Sequence, residues 1–190
     1  MKIMLVSCSP NGGETLESLL TQEGYQVAGS FSEDDDLLRE TEACRPDAII
    51  IETPGPSRGL LAKINEIKEN MPRPVAMFSE CRETEKIQAA IGAGVNYLLP
   101  TWESRDQLGP TIDQAVALFN ETSKLRKERD RATTALAERK SVDRAKGIIM
   151  KQRGLDEDAA YSFMRQTAMN RNIRVGQLAT SIIEAEKLLG

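Results

Sequence analysis

The chain has 190 residues, 40% of them hydrophobic, and a formal net charge of −4 at pH 7. This length suits one ordinary domain plus a small helical one, and no apolar run reaches the roughly 18 residues that a membrane-spanning helix needs. The absence of histidine excludes histidine-based metal sites, catalytic triads and proton shuttles, while three cysteines without metal-ligand spacing predict reduced thiols in a cytoplasmic protein.

Residues 1–110 alternate short apolar runs with amphipathic stretches. The apolar runs predict five strands, at residues 2–7, 25–29, 47–51, 75–78 and 96–99. Helices are predicted between the strands, including one at residues 34–43 that we expect Ser32 to cap. Continuous apolar strands alternating with helices are typical of a parallel sheet covered on both faces. We therefore predict an α/β domain, doubly wound and flavodoxin-like, with strand order 2-1-3-4-5.

This stretch resembles the receiver domain of two-component response regulators, over about 110 residues. The resemblance implies an acidic pair after strand 1 that holds Mg²⁺, and an aspartate at the end of strand 3 that accepts the phosphoryl group. After strand 1 this chain has Ser7, Cys8 and Ser9, with no carboxylate. At the acceptor position, in PDAIIIETP, it has Glu52, which is one methylene longer than aspartate.

Two further receiver positions lie after strands 4 and 5. The resemblance implies a serine or threonine after strand 4, which Ser79 matches, and a lysine before a proline after strand 5. Leu99 occupies the lysine position, and only Pro100 matches. Because the carboxylates that Mg²⁺ prefers and the lysine are both missing, we predict a pseudo-receiver: a docking fold without catalysis, metal or cofactor, in which Glu52 is a degenerate phosphoacceptor.

Residues 111–137 form a polar helical linker between two domains. Leu118, Leu125 and Ala132 recur every seven residues, which favours a coiled coil and a homodimer. Arg129 and Arg131 interrupt this repeat, so a single solvated helix is the alternative that the sequence leaves open.

Residues 138–190 predict an all-α domain of three helices, the first of which continues the linker helix. Gly154 suits a left-handed C-terminal cap, and Asp156 suits the N-cap of the second helix. On a helical wheel, Val142, Ala145 and Ile149 share one face. The opposite face carries Lys140, Arg144, Gly147 and Lys151, and a second basic row, Arg139, Lys146 and Arg153, flanks the apolar one.

Charge is unevenly divided along the chain. Residues 124–190 hold 15 lysines and arginines against 9 aspartates and glutamates, a net of +6, which leaves −10 for residues 1–123. A basic helical end on an acidic body predicts a polyanion as the ligand of the helical end.

The C-terminal stretch resembles the ANTAR domain, a three-helix RNA-binding module of transcription antiterminators. The strings that carry the resemblance are AERKSVDRAKGIIMKQRG, DEDAAYSFMRQTAM and QLATSII. A pseudo-receiver, a helical linker and an ANTAR domain together resemble NasT-type nitrate/nitrite regulators of the AmiR/NasT family. The fragments PRPVAMF, LAERK and EAEKLLG support the NasT likeness.

The resemblance implies a specific function. Such proteins bind paired stem-loops in nascent leader RNA and thereby prevent a terminator hairpin from forming, so that nitrate-assimilation genes are transcribed. A nitrate/nitrite sensor of the periplasmic-binding-protein type, NasS-like and cytoplasmic here, sequesters the antiterminator until the signal arrives. We expect a repressing partner with a basic or mixed surface, because the body of this chain is acidic.

The residue chemistry indicates which side chains would contact RNA. A cationic row can follow an RNA backbone, and an arginine and a tyrosine can meet splayed bases. Gly147 lowers helix stability by about 1 kcal/mol. A glycine at this position would make sense if a ligand approaches the backbone closely or if helices pack closely there. The predicted RNA-binding residues are Lys140, Arg144, Lys146, Gly147, Lys151, Tyr161, Arg165 and Arg171.

Two other functions compete with this interpretation. A DNA-binding response regulator would need a separate recognition helix after a tight turn, whereas the linker helix here is predicted to run unbroken into the basic helix. A protein-binding adaptor is the other alternative, and the net charge of the C-terminal end argues against it. No activated nucleophile with a base occurs at a recognisable spacing, so the sequence predicts no enzyme.

Overall fold

The computed structural model describes residues 1–8, 12–99 and 108–189; Ser9 and Pro100, two of the positions compared with receivers, lie outside this range. The strands are β1 (Lys2–Ser7), β2 (Gln26–Phe31), β3 (Ala48–Thr53), β4 (Val75–Ser79) and β5 (Tyr97–Leu99). They pair in parallel in the order β2-β1-β3-β4-β5, which confirms the predicted flavodoxin-like topology.

The helices of the first part of the chain alternate with the strands. They are α1 (Gly12–Gln22), α2 (Leu37–Cys44), α3 (Arg58–Asn70) and α4 (Thr84–Ala93), followed by α5 (Leu108–Arg153), α6 (Glu157–Asn170) and α7 (Val175–Leu189). None of the helices in the described part of the chain combines the length and apolar content needed to cross a bilayer.

The sheet has a separate core on each face, because side chains alternate along a strand. Ile49 and Ile51 of β3 pack on the face covered by α2, α3 and α4. Ala48 and Ile50 pack on the other face, against α1 and the first turns of α5. Strands that are apolar on both sides are therefore required, which is why the sequence shows continuous apolar runs rather than alternation.

The start of α2 differs from the prediction. The helix begins at Leu37 rather than at residue 34, and Asp36 is its N-cap, accepting a hydrogen bond from the Arg39 amide at 3.1 Å. The hydroxyl of Ser32 instead accepts from the Asp34 amide at 3.2 Å, and the Ser32 amide donates to the Asp35 carboxylate at 2.7 Å. These local bonds hold a turn ahead of the helix, so the predicted Ser32 cap is wrong.

The chain divides into two compact units, Met1–Lys124 and Leu125–Gly190. In the second unit, the end of α5 packs with α6 and α7 around buried small and apolar side chains. These are Ala145, Ile149, Ala160, Met164, Ala168, Leu178 and Ala179. Four alanines in this core let the three helices approach closely, and the predicted apolar face of Val142, Ala145 and Ile149 is confirmed.

Two turns fold the helices of the second unit back on one another. Gly154 has a φ of 67°, which is the left-handed cap predicted after α5, and its amide donates to the Met150 carbonyl at 2.9 Å. The Asp156 carboxylate accepts from the Ala159 amide at 2.8 Å and starts α6 as predicted. Asn172, with a φ of 52°, lies in the second turn, before α7.

Candidate nucleic-acid interface

The carboxyl edge of the sheet carries Glu52, at the position where a receiver has its phosphoacceptor. The Ser7 hydroxyl donates to the Glu52 carboxylate at 3.2 Å, and the Cys8 amide donates to the Glu52 carbonyl at 2.9 Å. The hydroxyl of Ser79 donates to the Pro54 carbonyl and accepts from the Cys81 amide, both at 3.3 Å. Side chains at this edge therefore bond to one another or to the backbone.

A second carboxylate, Glu33, also lies at this edge. The Ser57 hydroxyl donates to it at 3.1 Å and the Cys8 thiol at 3.6 Å. Burial raises the pKa of the Cys8 thiol; a hydrogen bond with Thr53 opposes this, and the charge of Glu33 adds to it. Across residues 1–8, 12–99 and 108–189, no group of three or more cysteine, aspartate and glutamate side chains is placed to hold a metal ion.

On α5, Lys140, Arg144, Gly147 and Lys151 form an exposed row, here called the basic row. Its members are spaced three and four residues apart and so share one side of the helix, away from the buried Ala145 and Ile149. Within the described residues, the three cationic side chains make no hydrogen bond or ion pair. Their charges are therefore available to a ligand.

Gly147 lies in the middle of the basic row, and its surroundings test whether helix packing explains a glycine at this position. A Cβ atom built on Gly147 would meet nothing within 4 Å, apart from its own helix, in the part of the chain that the structure describes. Packing against α6 or α7 therefore does not require glycine here. Close approach of a ligand to the backbone at Gly147 stays a prediction.

Two cations of the second basic row of α5, Lys146 and Arg153, make contacts within the second unit. Lys146 pairs with Glu157 at 2.5 Å and with Asp143 at 3.3 Å, and its side chain is 17% exposed. The hydrogen bond to Glu157 raises the pKa of Lys146. The Arg153 guanidinium lies 4.2 Å from the centre of the Phe163 ring. Both cations join α5 to α6, a contact that wheel positions along α5 cannot reveal.

The outer side of α6 carries Tyr161, Arg165 and Met169 at a spacing of four residues. Tyr161 is 46% exposed and Met169 is 64% exposed. Arg171 is exposed in the turn that follows α6. These side chains form a mixed apolar and cationic surface of the kind that can stack on bases.

A groove of about 470 Å³ opens where α5, Tyr161 and the start of α7 meet. Of the eight predicted RNA-binding residues, only Lys146 and Tyr161 line it. The groove also contains four charged residues that were not predicted to bind RNA: Glu138, Arg139, Asp143 and Arg174. The sequence placed Arg139 in the second basic row of α5. Glu138 and Arg174 come together only because α7 folds back onto α5, which the sequence pattern does not show.

Residues 130–183 match the family model of the ANTAR domain. The sequence is 27% identical over 169 residues to the transcriptional regulatory protein PdtaR of Mycobacterium tuberculosis H37Rv, covering 89% of this chain and 82% of that protein. It is 33% identical over 54 residues to the nitrate regulatory protein of Klebsiella oxytoca, covering 28% of this chain and 14% of that protein.

Solved structures resemble the first unit in fold. The receiver domain of a modulated diguanylate cyclase from Desulfovibrio desulfuricans superposes with a TM-score of 0.53 at 20% identity, over 64% of this chain and 97% of that one. The response regulator domain of Thermotoga maritima CheB superposes with a TM-score of 0.51 at 19% identity, over 62% of this chain and 96% of that one.

Together these findings show a receiver-like α/β fold, a long helix and a segment that matches the ANTAR domain. The ANTAR match falls on residues 130–183, and both of the relatives described above are regulatory proteins by name.

Proposed function

We propose that the protein is a transcription antiterminator that binds paired stem-loops in a nascent leader RNA and keeps a terminator hairpin from forming. The observation that carries this proposal is the basic row, which presents unpaired cations on both sides of an exposed glycine within the ANTAR segment. Because such a protein acts on RNA during transcription, we place it in the cytoplasm.

The chemistry of the basic row suits an RNA backbone. A-form RNA has a deep, narrow major groove that side chains cannot read, so proteins that bind stem-loops contact phosphates and splayed loop bases. Lys140, Arg144 and Lys151 can each neutralise a phosphate, and the open space over Gly147 lets the backbone approach the helix.

The other predicted residues divide into two groups. Tyr161 and Arg165 on the outer side of α6 are assigned to splayed bases, and Arg171 to a flanking phosphate. Lys146 is assigned a positioning role, because its ammonium is already shared between Glu157 and Asp143 and holds α6 against α5.

Three finer elements of the proposal come from the sequence and from the nitrate regulatory relative. We divide the chain into a pseudo-receiver at 1–110, a helical linker at 111–137 that forms a homodimer, and the RNA-binding domain at 138–190. A nitrate/nitrite sensor of the periplasmic-binding-protein type holds the protein inactive. The acidic first part of the chain supports a partner with a basic or mixed surface.

A gel-shift titration tests the proposed function. The purified full chain is titrated against a leader RNA with two tandem stem-loops, and against duplex DNA of the same sequence, at two salt concentrations. We expect RNA-selective binding that weakens with salt, because phosphate contacts release counterions. Preference for duplex DNA would instead identify a DNA-binding response regulator, and binding to neither would leave an adaptor.

A further inference from the structure

We infer that the groove between α5, Tyr161 and the start of α7 receives one splayed guanine from the loop of the bound RNA, and that Glu138 reads it. This inference rests on the proposed function and adds the identity of a base. The groove, of about 470 Å³, falls within the range of about 300–1,000 Å³ typical of small-ligand pockets.

The walls of the groove suit a flat aromatic ring with a phosphate attached. Tyr161 is 46% exposed and lines the groove from α6, so its ring is available to stack on a base. Arg139 and Arg174 line it from α5 and from the residue before α7. Neither guanidinium has a hydrogen-bond or ion-pair partner among the described residues, which leaves both for a phosphate.

Glu138 lines the groove from α5. A Cβ atom at Gly176 would lie 3.4 Å from the Glu138 Cγ and 3.5 Å from its Cδ, which is ordinary van der Waals contact, so the Glu138 side chain lies beside the first turn of α7. The Glu138 carboxylate has no hydrogen-bond or ion-pair partner in the described chain, whereas Asp143 in the same groove is paired with Lys146.

A carboxylate selects guanine among the four bases of RNA. An ionised carboxylate only accepts hydrogen bonds, through two oxygens. Guanine alone presents two adjacent donors, N1–H and the 2-amino group, on its Watson–Crick edge. Adenine and cytosine place a donor beside an acceptor, and uracil places one donor between two acceptors, so each would face the Glu138 oxygens with a lone pair.

The groove and the basic row lie on different sides of α5. Arg139 and Lys146 are roughly a third of a turn around the helix from Lys140, Arg144 and Lys151, at about 100° per residue. The row therefore contacts the backbone of the stem, and a base that leaves the loop enters the groove around the side of the helix.

The test uses a pool of stem-loop RNAs with a constant stem and a randomised loop. The full chain captures bound RNA, and sequencing gives the enrichment of each base at each loop position. We expect guanine to be enriched on the order of tenfold at one position, as for a good bidentate contact. Glu138→Gln replaces the acceptor pair by a donor and an acceptor, so the enrichment at that position should pass to adenine or cytosine.

A matched control is Glu128→Gln, which removes the same charge from an exposed site of α5 outside the groove. It should keep the guanine enrichment, and both variants should unfold at the wild-type temperature. Enrichment without positional preference, or a guanine preference that Glu138→Gln leaves intact, would overturn the inference while the RNA-binding function stands. A wild-type chain that captures no RNA would overturn the proposed function itself.

Discussion

Two glycines at the end of α5 show how one residue type serves two different purposes. Gly154 adopts a φ of 67°, which L side chains rarely adopt, and it ends the helix. Gly147 is inside the helix, where glycine costs stability relative to alanine, and the described neighbours leave the space over it open. The fold explains glycine at 154, but it does not explain glycine at 147.

Alanine at each of these positions should therefore have opposite effects on stability. We expect Gly147→Ala to raise the free energy of unfolding by about 1 kcal/mol, because a helical residue with more backbone freedom is replaced. The same change should weaken RNA binding by an amount measurable in the gel-shift titration, because the new methyl group occupies the space proposed for the RNA backbone.

Gly154→Ala is the matched comparison. It should lower the free energy of unfolding by about 1 kcal/mol, since alanine is strained at a positive φ. Urea unfolding followed by circular dichroism measures both changes. A Gly147→Ala chain that binds the stem-loop RNA as tightly as wild type would contradict the proposed close approach at this position.

At the scale of single elements, the ends of β1, β3 and β4 form an edge that resembles a receiver without its chemistry. Ser7 and Cys8 follow the strand where a receiver has its acidic pair, and the Glu52 carboxylate accepts from the Ser7 hydroxyl. Leu99 offers no cation to the transferred phosphoryl group. The edge is therefore expected to act as a fixed surface.

We expect acetyl phosphate with Mg²⁺ to leave the chain unphosphorylated, because Ser7 and Cys8 stand where a receiver has its acidic pair and Leu99 where it has its lysine. Intact-mass spectrometry after incubation would detect an added phosphoryl group. A receiver with a complete acidic pair, aspartate and lysine serves as the positive control, and Glu52→Gln locates any modification. A phosphoryl group found on Glu52 would contradict the pseudo-receiver interpretation.

The sequence predicted the helices, strands and caps well, but it did not predict the groove. Strand order and both caps around Gly154 followed from apolar runs and local turn chemistry, which depend on neighbouring residues. The predicted start of α2 was wrong because several acidic residues in succession can each serve as a helix N-cap. The hydrogen-bonded turn at Ser32 leaves Asp36 as the residue that caps the helix. The pairing of Lys146 with Glu157 depends on how helices pack, which no local pattern encodes.

At the scale of the whole molecule, the division of charge gives the two parts of the chain different partners. Residues 124–190 carry a net +6 and residues 1–123 a net −10, so a polyanion is attracted to one part and repelled by the other. Binding of RNA should therefore weaken steeply with salt, although the net charge of the whole protein is negative.

The proposed homodimer links this charge division to an RNA with two stem-loops. Leu125, in the linker, is 54% exposed, and the seven-residue spacing places Leu118 and Ala132 on the same row. Burying that row against a second copy would give the assembly two RNA-binding domains. When one domain has bound, the other searches a small volume around the second stem-loop, which raises affinity without any new contact.

Leu125→Lys should separate dimerisation from RNA recognition. We expect wild type to sediment as a dimer and to bind the tandem RNA on the order of a hundredfold more tightly than a single stem-loop. The variant should sediment as a monomer, bind the single stem-loop as wild type does, and lose the advantage of the tandem RNA. Thr134→Lys adds the same charge to α5 outside the seven-residue row and should keep both properties. A wild-type monomer that nevertheless prefers the tandem RNA to the same degree would show that one chain contacts both stem-loops, and the linker would then be a single solvated helix.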